Sequence, residues 1–342
     1  MGGRFFKQAR LRVDFALLLM MLLLLASCLP TQSSQPYGTP QTQRRALLPG
    51  QQVWSQGVSS LLFGTNDTQE WTPQNIETQP TIQQALRSGG FTLIRSFFLD
   101  NATDSAVEAR MHTIESSGAA CLGVITNIFH VLYDLHLVKY LGKRCLLYEF
   151  GNEPDYTGIP WETYLAQWNR LIPQLRRVNP QAKFIGPVVT LEQFDYLVYF
   201  LQGVKSSQVF PDALSFHWYP CWQIDQARCM GLADSISARV RTVRILAQRI
   251  LREDLPIGVS EWNFDPGNPP ASYGDNASFI TQFSQRALLA MISSNVAFAC
   301  QFDAASYSGY GHLDLFNVAS SQPKPQYYAI TRLIARYRPS TR

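Results

Sequence analysis

The sequence predicts a (β/α)8 barrel of the α/β class, and three features of the chain support this fold. Its 342 residues exceed the usual size of one domain, but barrels of this class run to roughly 250 residues or more as one domain. Apolar, strand-like runs alternate with amphipathic stretches, which is the pattern of repeated βα units. Eight such runs occur, and eight is the number that a closed barrel needs.

The elements of this barrel are read from hydrophobic periodicity. The predicted strands cover Gly57 to Thr65, Phe91 to Phe98, Ala119 to Thr126, Cys145 to Gly151, Lys183 to Val189, Ala213 to Tyr219, Ile257 to Trp262 and Val296 to Asp303. Between them, apolar residues recur at three- and four-residue steps, as expected of helices with one buried face. The clearest series are Leu165, Trp168, Leu171, Ile172 and Leu175, and Ile236, Val240, Val243, Leu246 and Ile250.

Residues 1–27 have the composition of an export signal. Four basic residues precede an apolar run from Phe15 to Leu25, which is too short to span a bilayer comfortably. The next residues complete Leu-Ala-Ser-Cys, which resembles the lipobox of bacterial lipoproteins, in which Cys28 is the lipidated first residue of the mature chain. We therefore expect a protein exported to the bacterial cell surface that contacts the membrane only through its lipid anchor. The alternative is an ordinary secretory signal that is cleaved nearby.

The rest of the chain divides into a tether and one barrel domain. Residues 28–50 are rich in Gln, Ser, Thr and Pro and predict a flexible tether, and residues 51–342 predict the barrel. Removing the signal takes away four basic residues and Asp14, so the net charge falls from +4 to +1. This near-neutral balance gives no reason to expect nucleic-acid binding.

The six cysteines suit an oxidising compartment better than a metal site. Cys221 and Cys229 are eight residues apart in one predicted loop, where they are expected to form a disulfide, although two unpaired thiols are the alternative. Cys121 and Cys145 begin neighbouring predicted strands and could also meet. No cysteine and histidine cluster has zinc-like spacing, so no structural metal is expected.

Glu153 and Glu261 are the strongest candidates for chemistry. Each ends an apolar run, in Gly-Asn-Glu-Pro-Asp and in Ser-Glu-Trp-Asn respectively, and they are 108 residues apart. Three slightly enlarged βα units of about 31 residues fill that interval, which places the carboxylates at the ends of strands four and seven. Two carboxylates over one barrel mouth are typical of catalysis on a glycosidic bond. For either glutamate alone, a solvated loop carboxylate or a salt-bridge partner is the alternative.

These motifs resemble those of the clan A glycoside hydrolases, which are (β/α)8 retaining glycosidases, and the resemblance covers residues 51 to 338. Gly-Asn-Glu-Pro-Asp is similar to the pattern of families 39 and 79 and of the cellulase-like family 5, and Ser-Glu-Trp-Asn is similar to the nucleophile segments of families 39 and 51. The resemblance implies that Glu153 is the general acid/base, that Glu261 is the nucleophile, and that no cofactor or metal takes part.

Four further residues match supporting positions of the clan pattern. By that resemblance, Arg95 at the end of strand two donates hydrogen bonds to the nucleophile, and Asn152 binds the sugar 2-hydroxyl. The alternatives are a structural ion pair and an amide that closes its own turn. His217 and Tyr219 alternate along strand six and so point to the same side. The resemblance implies that this tyrosine contacts the nucleophile and that the histidine joins the surrounding hydrogen bonds.

Aromatic residues near strand starts or in loops are candidate platforms for sugar rings, because a sugar stacks its CH face on an aromatic plane. Trp222, inside the expected disulfide loop, is the best of them, although core packing is an equal alternative for each. The other candidates are Trp54, Trp71, Trp262, Tyr307, Tyr310 and His312.

The end of strand eight departs from the clan pattern. Many clan A enzymes have a tryptophan there, whereas this chain has Phe-Ala-Cys-Gln-Phe-Asp over residues 298–303. Gln301 or Asp303 could provide polar contacts to the sugar in its place.

The sequence therefore predicts an exported retaining glycosidase that acts on β-linked oligosaccharides or polysaccharides. The alternative is a noncatalytic carbohydrate-binding lipoprotein that keeps the same barrel, since a fold does not by itself determine function.

Overall fold

The computed structural model describes residues 47–67, 76–190, 194–267, 270–306 and 311–340. Cys28, Trp71, Tyr307 and Tyr310 lie outside these residues. Eight parallel strands form one sheet in the order β5-β4-β3-β2-β1-β8-β7-β6. Bridges from Ile185 to Ala213 and from Val189 to Phe216 join the two edge strands. The sheet therefore closes into the predicted barrel, which confirms the (β/α)8 fold class.

The strands and helices alternate along the chain. The barrel strands are β1 (Gly64–Asp67), β2 (Leu93–Phe98), β3 (Ala120–Ile125), β4 (Leu147–Phe150), β5 (Lys183–Ile185), β6 (Leu214–Trp218), β7 (Ile257–Trp262) and β8 (Phe298–Gln301). A short antiparallel pair follows, β9 (Phe316–Asn317) and β10 (Gln322–Pro323). The helices are α1 (Pro80–Gly89), α2 (Asp104–Ser116), α3 (Val131–Leu141), α4 (Trp161–Val178), α5 (Asp195–Ser207), α6 (Gln226–Leu232), α7 (Ile236–Leu251), α8 (Ala277–Ser293) and α9 (Pro325–Tyr337).

Two of the predicted strands differ from the observed ones. The first was expected from Gly57 but begins at Gly64, so its first seven residues were wrongly predicted as strand. They fold instead into turns that place Leu61 in the buried apolar cluster inside the barrel, and Ser59 donates a hydrogen bond to the Ala297 carbonyl (2.6 Å). The fifth strand stops at Ile185 because Pro187 follows and has no N–H to donate to a neighbouring strand.

The barrel interior has two layers of different character. The lower layer is apolar and contains Leu48, Leu61, Leu93, Leu122, Leu147, Ile185, Ala213 and Phe298. The upper layer is polar and contains Asn66, Arg95, Glu149, Ser215 and Glu261. On β2 and β4, Arg95 and Glu149 lie two residues beyond Leu93 and Leu147, so alternation brings both layers to the inner side of the same strands.

Close packing fills the lower layer. A Cβ atom on Gly258 would lie 2.0 Å from the Phe298 ring, so only glycine leaves room for that ring. Leu48 is only 5% exposed, although it belongs to the stretch predicted as tether. The apolar layer therefore closes the end of the barrel opposite the strand C-termini.

Two disulfides link segments of the chain, one between neighbouring strands and one between a loop and a helix. Cys121 in β3 is bonded to Cys145 just before β4, and Cys221 after β6 is bonded to Cys229 in α6. The second bond ties down the loop that carries Trp222. Among the described residues, no helix combines the length and the apolar composition needed to cross a bilayer.

Candidate active site

A pocket of about 380 Å³ opens at the C-terminal ends of the barrel strands. This end of a (β/α)8 barrel is where its enzymes place their chemistry. The residues lining the pocket come mainly from the loops after β4, β6, β7 and β8: Asn152, Glu153, Tyr156, Thr190, His217, Tyr219, Trp222, Glu261, Pro266 and Phe302. Both predicted carboxylates therefore face one cavity.

Glu261 is held at the pocket floor by donors to both of its oxygens. Arg95 Nη1 donates to Oε1 at 2.6 Å, and the Tyr219 hydroxyl donates to Oε2 at 3.0 Å. His217 Nδ1 lies 3.5 Å from Oε2. These donors fix the orientation of the Glu261 carboxylate.

Glu153 stands beside Glu261 and pairs with His217. Its Oε1 lies 2.6 Å from His217 Nδ1. Burial raises the pKa of Glu153, but the charge and hydrogen bond of His217 and the charge of Arg95 outweigh it, so the pKa lies below its ordinary value. Burial lowers the pKa of His217, and the charges of Glu261 and Glu153 raise it by more. Both directions place the proton that this pair shares on His217, next to an ionised Glu153.

The backbone at Glu153 is unusual for a residue with a side chain. Its φ is +46°, in the left-handed region that favours glycine. Its N–H donates to the Val188 carbonyl at 3.0 Å, which helps to hold this conformation. Such strain is concentrated at functional sites, where it fixes the direction of a side chain. Here it accompanies a carboxylate that points into the pocket.

Arg95 is fully buried beneath the pocket and contacts residues next to both candidate carboxylates. Its Nε donates to Glu149 and its Nη1 to Glu261, each at 2.6 Å. Nη1 also donates to Asn66 (2.9 Å), and Nη2 donates to Asn152 (2.6 Å). One guanidinium therefore orients both the Glu261 carboxylate and the Asn152 amide.

Glu149 lies in the candidate site, although no sequence motif marked it. It is fully buried, and besides Arg95 it accepts a hydrogen bond from the Ser215 hydroxyl at 2.6 Å. Burial raises the pKa of Glu149, but the charge of Arg95 outweighs it, so the pKa lies below its usual value. The available signal was strand alternation, because Glu149 lies two residues after the buried Leu147 in an otherwise apolar run.

The remaining predicted site residues divide into pocket and core. Trp222 lines the pocket and is 54% exposed. Trp54 is buried and stacks on Phe63, Trp262 is also buried, and His312 is hydrogen-bonded to the Asp265 carbonyl at 3.0 Å.

At the end of β8, Phe302 is the residue that lines the pocket, and it packs edge-on against Tyr219. Gln301 is buried and donates to the carbonyls of Phe302 (2.8 Å) and Leu313 (2.7 Å). Asp303 is buried and hydrogen-bonded to Asp314. Gln301 and Asp303, the two predicted polar contacts to the sugar, are therefore bonded to neighbouring protein groups behind Phe302 and do not line the pocket.

Glu153, His217 and Glu261 also have the donor types of a divalent-cation site, and one ligand atom of each lies within 4.8 Å of the others. Their ligand atoms are engaged with each other and with Arg95 and Tyr219. A cation bound here would have to displace the hydrogen bond between Glu153 and His217. The site as built suits proton transfer between His217 and Glu153.

No family model and no curated protein matches this sequence. The fold is similar to a glucosidase from Croceicoccus marinus, at 20% identity and a TM-score of 0.62, over 79% of this chain and 66% of that chain. It is similar to a family 51 α-L-arabinofuranosidase from Bifidobacterium longum, at 10% identity and a TM-score of 0.64, over 83% and 74% of the two chains.

A third solved structure with this fold is a family 128 endo-β-1,3-glucanase from Amycolatopsis mediterranei, in complex with laminaritriose. Its identity is 20% and its TM-score 0.52, over 74% of this chain and 94% of that chain. This chain therefore spans just under two thirds of the glucosidase but nearly the full length of the glucanase. At these identities the likeness establishes the barrel fold.

Proposed function

We propose that this protein is a retaining glycoside hydrolase that cleaves β-linked O-glycosidic bonds with Glu153 and Glu261. The observation that carries the proposal is the pair itself: one oxygen of each carboxylate lies within 4.8 Å of the other, inside a single pocket. Retaining glycosidases have carboxyl groups about 5–5.5 Å apart, whereas inverting enzymes need about 6.5–9.5 Å to admit a water. The short separation supports a covalent mechanism.

The first step forms a glycosyl-enzyme ester. A Glu261 oxygen attacks the anomeric carbon while Glu153 donates its proton to the departing glycosidic oxygen. The proton on Glu153 comes from the pair that it forms with His217 at 2.6 Å. Asn152, held by Arg95, is placed to bind the sugar beside the reacting carbon.

The second step hydrolyses the ester. Glu153, now ionised, removes a proton from water as the water oxygen attacks the anomeric carbon. The bond to Glu261 breaks, and its carboxylate is again stabilised by Arg95 and Tyr219. The sugar is released with the anomeric configuration that it had in the substrate.

The structural neighbours support hydrolysis of glycosides in general. They include a glucosidase, an arabinofuranosidase and an endo-β-1,3-glucanase, which act on different sugars and linkages. The shared part of their chemistry is the glycosidic bond, and that part is what we transfer to this protein.

Assays on aryl β-glycosides and on polysaccharides test the proposal. Glu261→Ala should abolish turnover, and added azide should restore it with formation of the inverted glycosyl azide, because azide occupies the space of the lost carboxylate. NMR of the wild-type reaction should show the retained anomer first. Tight binding of glycans without any product would instead support the noncatalytic carbohydrate-binding lipoprotein.

We also propose that the protein is exported and lipid-anchored through Cys28. The two disulfides support export, because such bonds persist in oxidising compartments. Labelling with radioactive palmitate in a bacterial host should mark the wild type and spare Cys28→Ala. Equal labelling of both proteins, or labelling of neither, would contradict the anchor.

A further inference from the structure

Two of the cavities that border the catalytic pocket meet it at exposed aromatic residues. Another neighbouring cavity, of about 480 Å³, shares Thr190, His217 and Tyr219 with the pocket and is lined by Arg239. Tyr156 is 66% exposed and lines both the pocket and a cavity of about 520 Å³, here called the Tyr199 cavity. Trp222 is 54% exposed and lines both the pocket and a cavity of about 600 Å³, here called the Asp225 cavity. The two outer cavities share no described lining residue, so the catalytic pocket connects them.

The Tyr199 cavity has the chemistry of a sugar site. It lies between the start of α4 and the start of α5, where Trp161 and Tyr199 stack with ring centroids 5.0 Å apart. Tyr199 is 42% exposed, so its ring is accessible to a ligand. The exposed Asp195 adds a carboxylate that can accept hydrogen bonds from sugar hydroxyls, and Asp155, which already accepts from Thr190, has further lone pairs for the same purpose. Aromatic faces and carboxylates together bind the apolar and polar sides of a pyranose.

The Asp225 cavity has a similar composition on the other side of the pocket. Trp222 provides the exposed ring, and Asp225 and Gln226 provide polar groups. The loop is tied by the Cys221 to Cys229 bond. A ring held in this way loses little conformational entropy when a sugar binds to it.

The charge of the cavity lining indicates which sugars can bind. The described lining residues of the catalytic pocket, the Tyr199 cavity and the Asp225 cavity include no lysine or arginine, and they include the carboxylates of Asp155, Asp195 and Asp265. The other three lining carboxylates are ion-paired, Glu153 with His217, Glu261 with Arg95 and Asp225 with Arg228. An acidic surface of this kind repels uronic acids and sulfated sugars, and it accepts uncharged ones.

We propose that the three cavities form one cleft that binds a chain of uncharged sugar units and cuts it internally. This inference rests on the proposed glycosidase function, because it takes Glu153 and Glu261 as the point of cleavage. A single glycoside needs only the catalytic pocket. Two further cavities beside the catalytic pocket give binding energy only to a substrate that extends beyond the scissile bond on both sides.

The test compares short and long substrates in variants of the outer cavities. Tyr199→Ala removes a ring from the first cavity, and Ser272→Trp fills the second from an exposed position. Substrates are aryl β-monosaccharides and β-linked hexasaccharides of glucose, xylose, mannose and N-acetylglucosamine. Each variant should lower the ratio of hexasaccharide to aryl-glycoside kcat/KM about tenfold, mainly through KM. Tyr328→Ala, an exposed aromatic on α9 that lines none of the three cavities, is the matched control.

Binding measured with the inactive variant Glu261→Gln tests the cleft independently of the proposed hydrolysis. One outcome is that the wild type hydrolyses no substrate, while the outer-cavity substitutions still weaken calorimetric binding of a hexasaccharide. That result would support the extended cleft and contradict the glycosidase function. If the wild type releases single sugars with a kcat/KM that is independent of chain length, the result would support the glycosidase function and contradict the extended cleft. Preferential binding of oligogalacturonate, or no binding by any hexasaccharide, would also overturn the cleft.

Discussion

The lower and upper layers of the barrel interior lie on the same strands and have opposite physical characters. The lower layer is made of aliphatic and aromatic side chains such as Leu93 and Leu147. Two residues further along the same strands, Arg95 and Glu149 form a fully buried ion pair at 2.6 Å. The apolar layer that stabilises the barrel and the charged layer that orients the side chains of the site are therefore only two residues apart on each strand.

The energetics of the two layers explain this division. Burial of apolar surface stabilises the fold by about 25 cal/mol per Å². Burial of an ion pair costs desolvation, which the attraction of the charges roughly offsets, so such a pair contributes little to stability. The charged layer is therefore better explained by its contacts with Glu261 and Asn152 than by its effect on folding. Substitutions in the two layers should separate these effects.

The largest effect is expected from Arg95→Met. It removes the donor to Glu261 and leaves Glu149 buried without its charged partner. We expect the unfolding free energy to fall by about 3–5 kcal/mol and kcat to fall by at least about a hundredfold. Urea unfolding and steady-state kinetics measure the two changes. Arg144→Met, which breaks exposed ion pairs with Glu108 and Glu115, is the control and should leave the unfolding free energy nearly unchanged.

Leu93→Ala should separate stability from catalysis. The side chain is fully buried in the lower layer, so its truncation should lower the unfolding free energy by about 2–5 kcal/mol. Because no charge changes, the pH dependence of activity should match that of the wild type below the melting temperature. A displaced pH profile in this variant would show that the two layers are coupled.

Glu149→Gln should move the pH profile of activity toward acid. Glu149 and His217 interact electrostatically, so loss of this negative charge lowers the pKa of His217, which shares a proton with Glu153. Activity requires the proton on that pair and is lost as pH rises through its titration, so the basic limb should move down by roughly half a unit to one unit. A reduced rate with an unmoved profile would mean that Glu149 acts only through packing. Glu253→Gln, at an exposed site, is the matched control.

The smallest effect is expected from Tyr219→Phe. It removes only the hydroxyl that donates to Glu261 at 3.0 Å, and the ring can still pack edge-on against Phe302. Loss of a hydrogen bond to a charged group should lower kcat/KM about tenfold and leave the melting temperature nearly unchanged. Unaltered kinetics would show that Arg95 alone is sufficient to hold Glu261.

Local patterns predicted most of the fold. Each strand after the first was located by its apolar run, because a buried parallel strand needs apolar residues on both faces. The first strand was misplaced because residues 57–63 are equally apolar but pack as turns beneath the barrel. Apolar composition reports that a segment is buried, and it does not report whether its backbone pairs with a neighbour.

The site was predictable where two motifs marked it. Glu153 and Glu261 stand out because the C-terminal ends of barrel strands are where this fold places catalytic residues. Glu149 was missed because one carboxylate in an apolar run has no partner in the local sequence. Its partners, Arg95 and Ser215, are 54 and 66 residues away.

By itself, the sequence determined the barrel, the two carboxylates and their order along the chain, because periodicity and strand ends are local properties. Only the tertiary structure decided that Arg95 is shared between Glu149 and Glu261, that Gln301 and Asp303 support Phe302 from within the core, and that the pocket continues into two further cavities. These features depend on distances between residues from different strands and loops. Such distances become fixed only when the barrel closes.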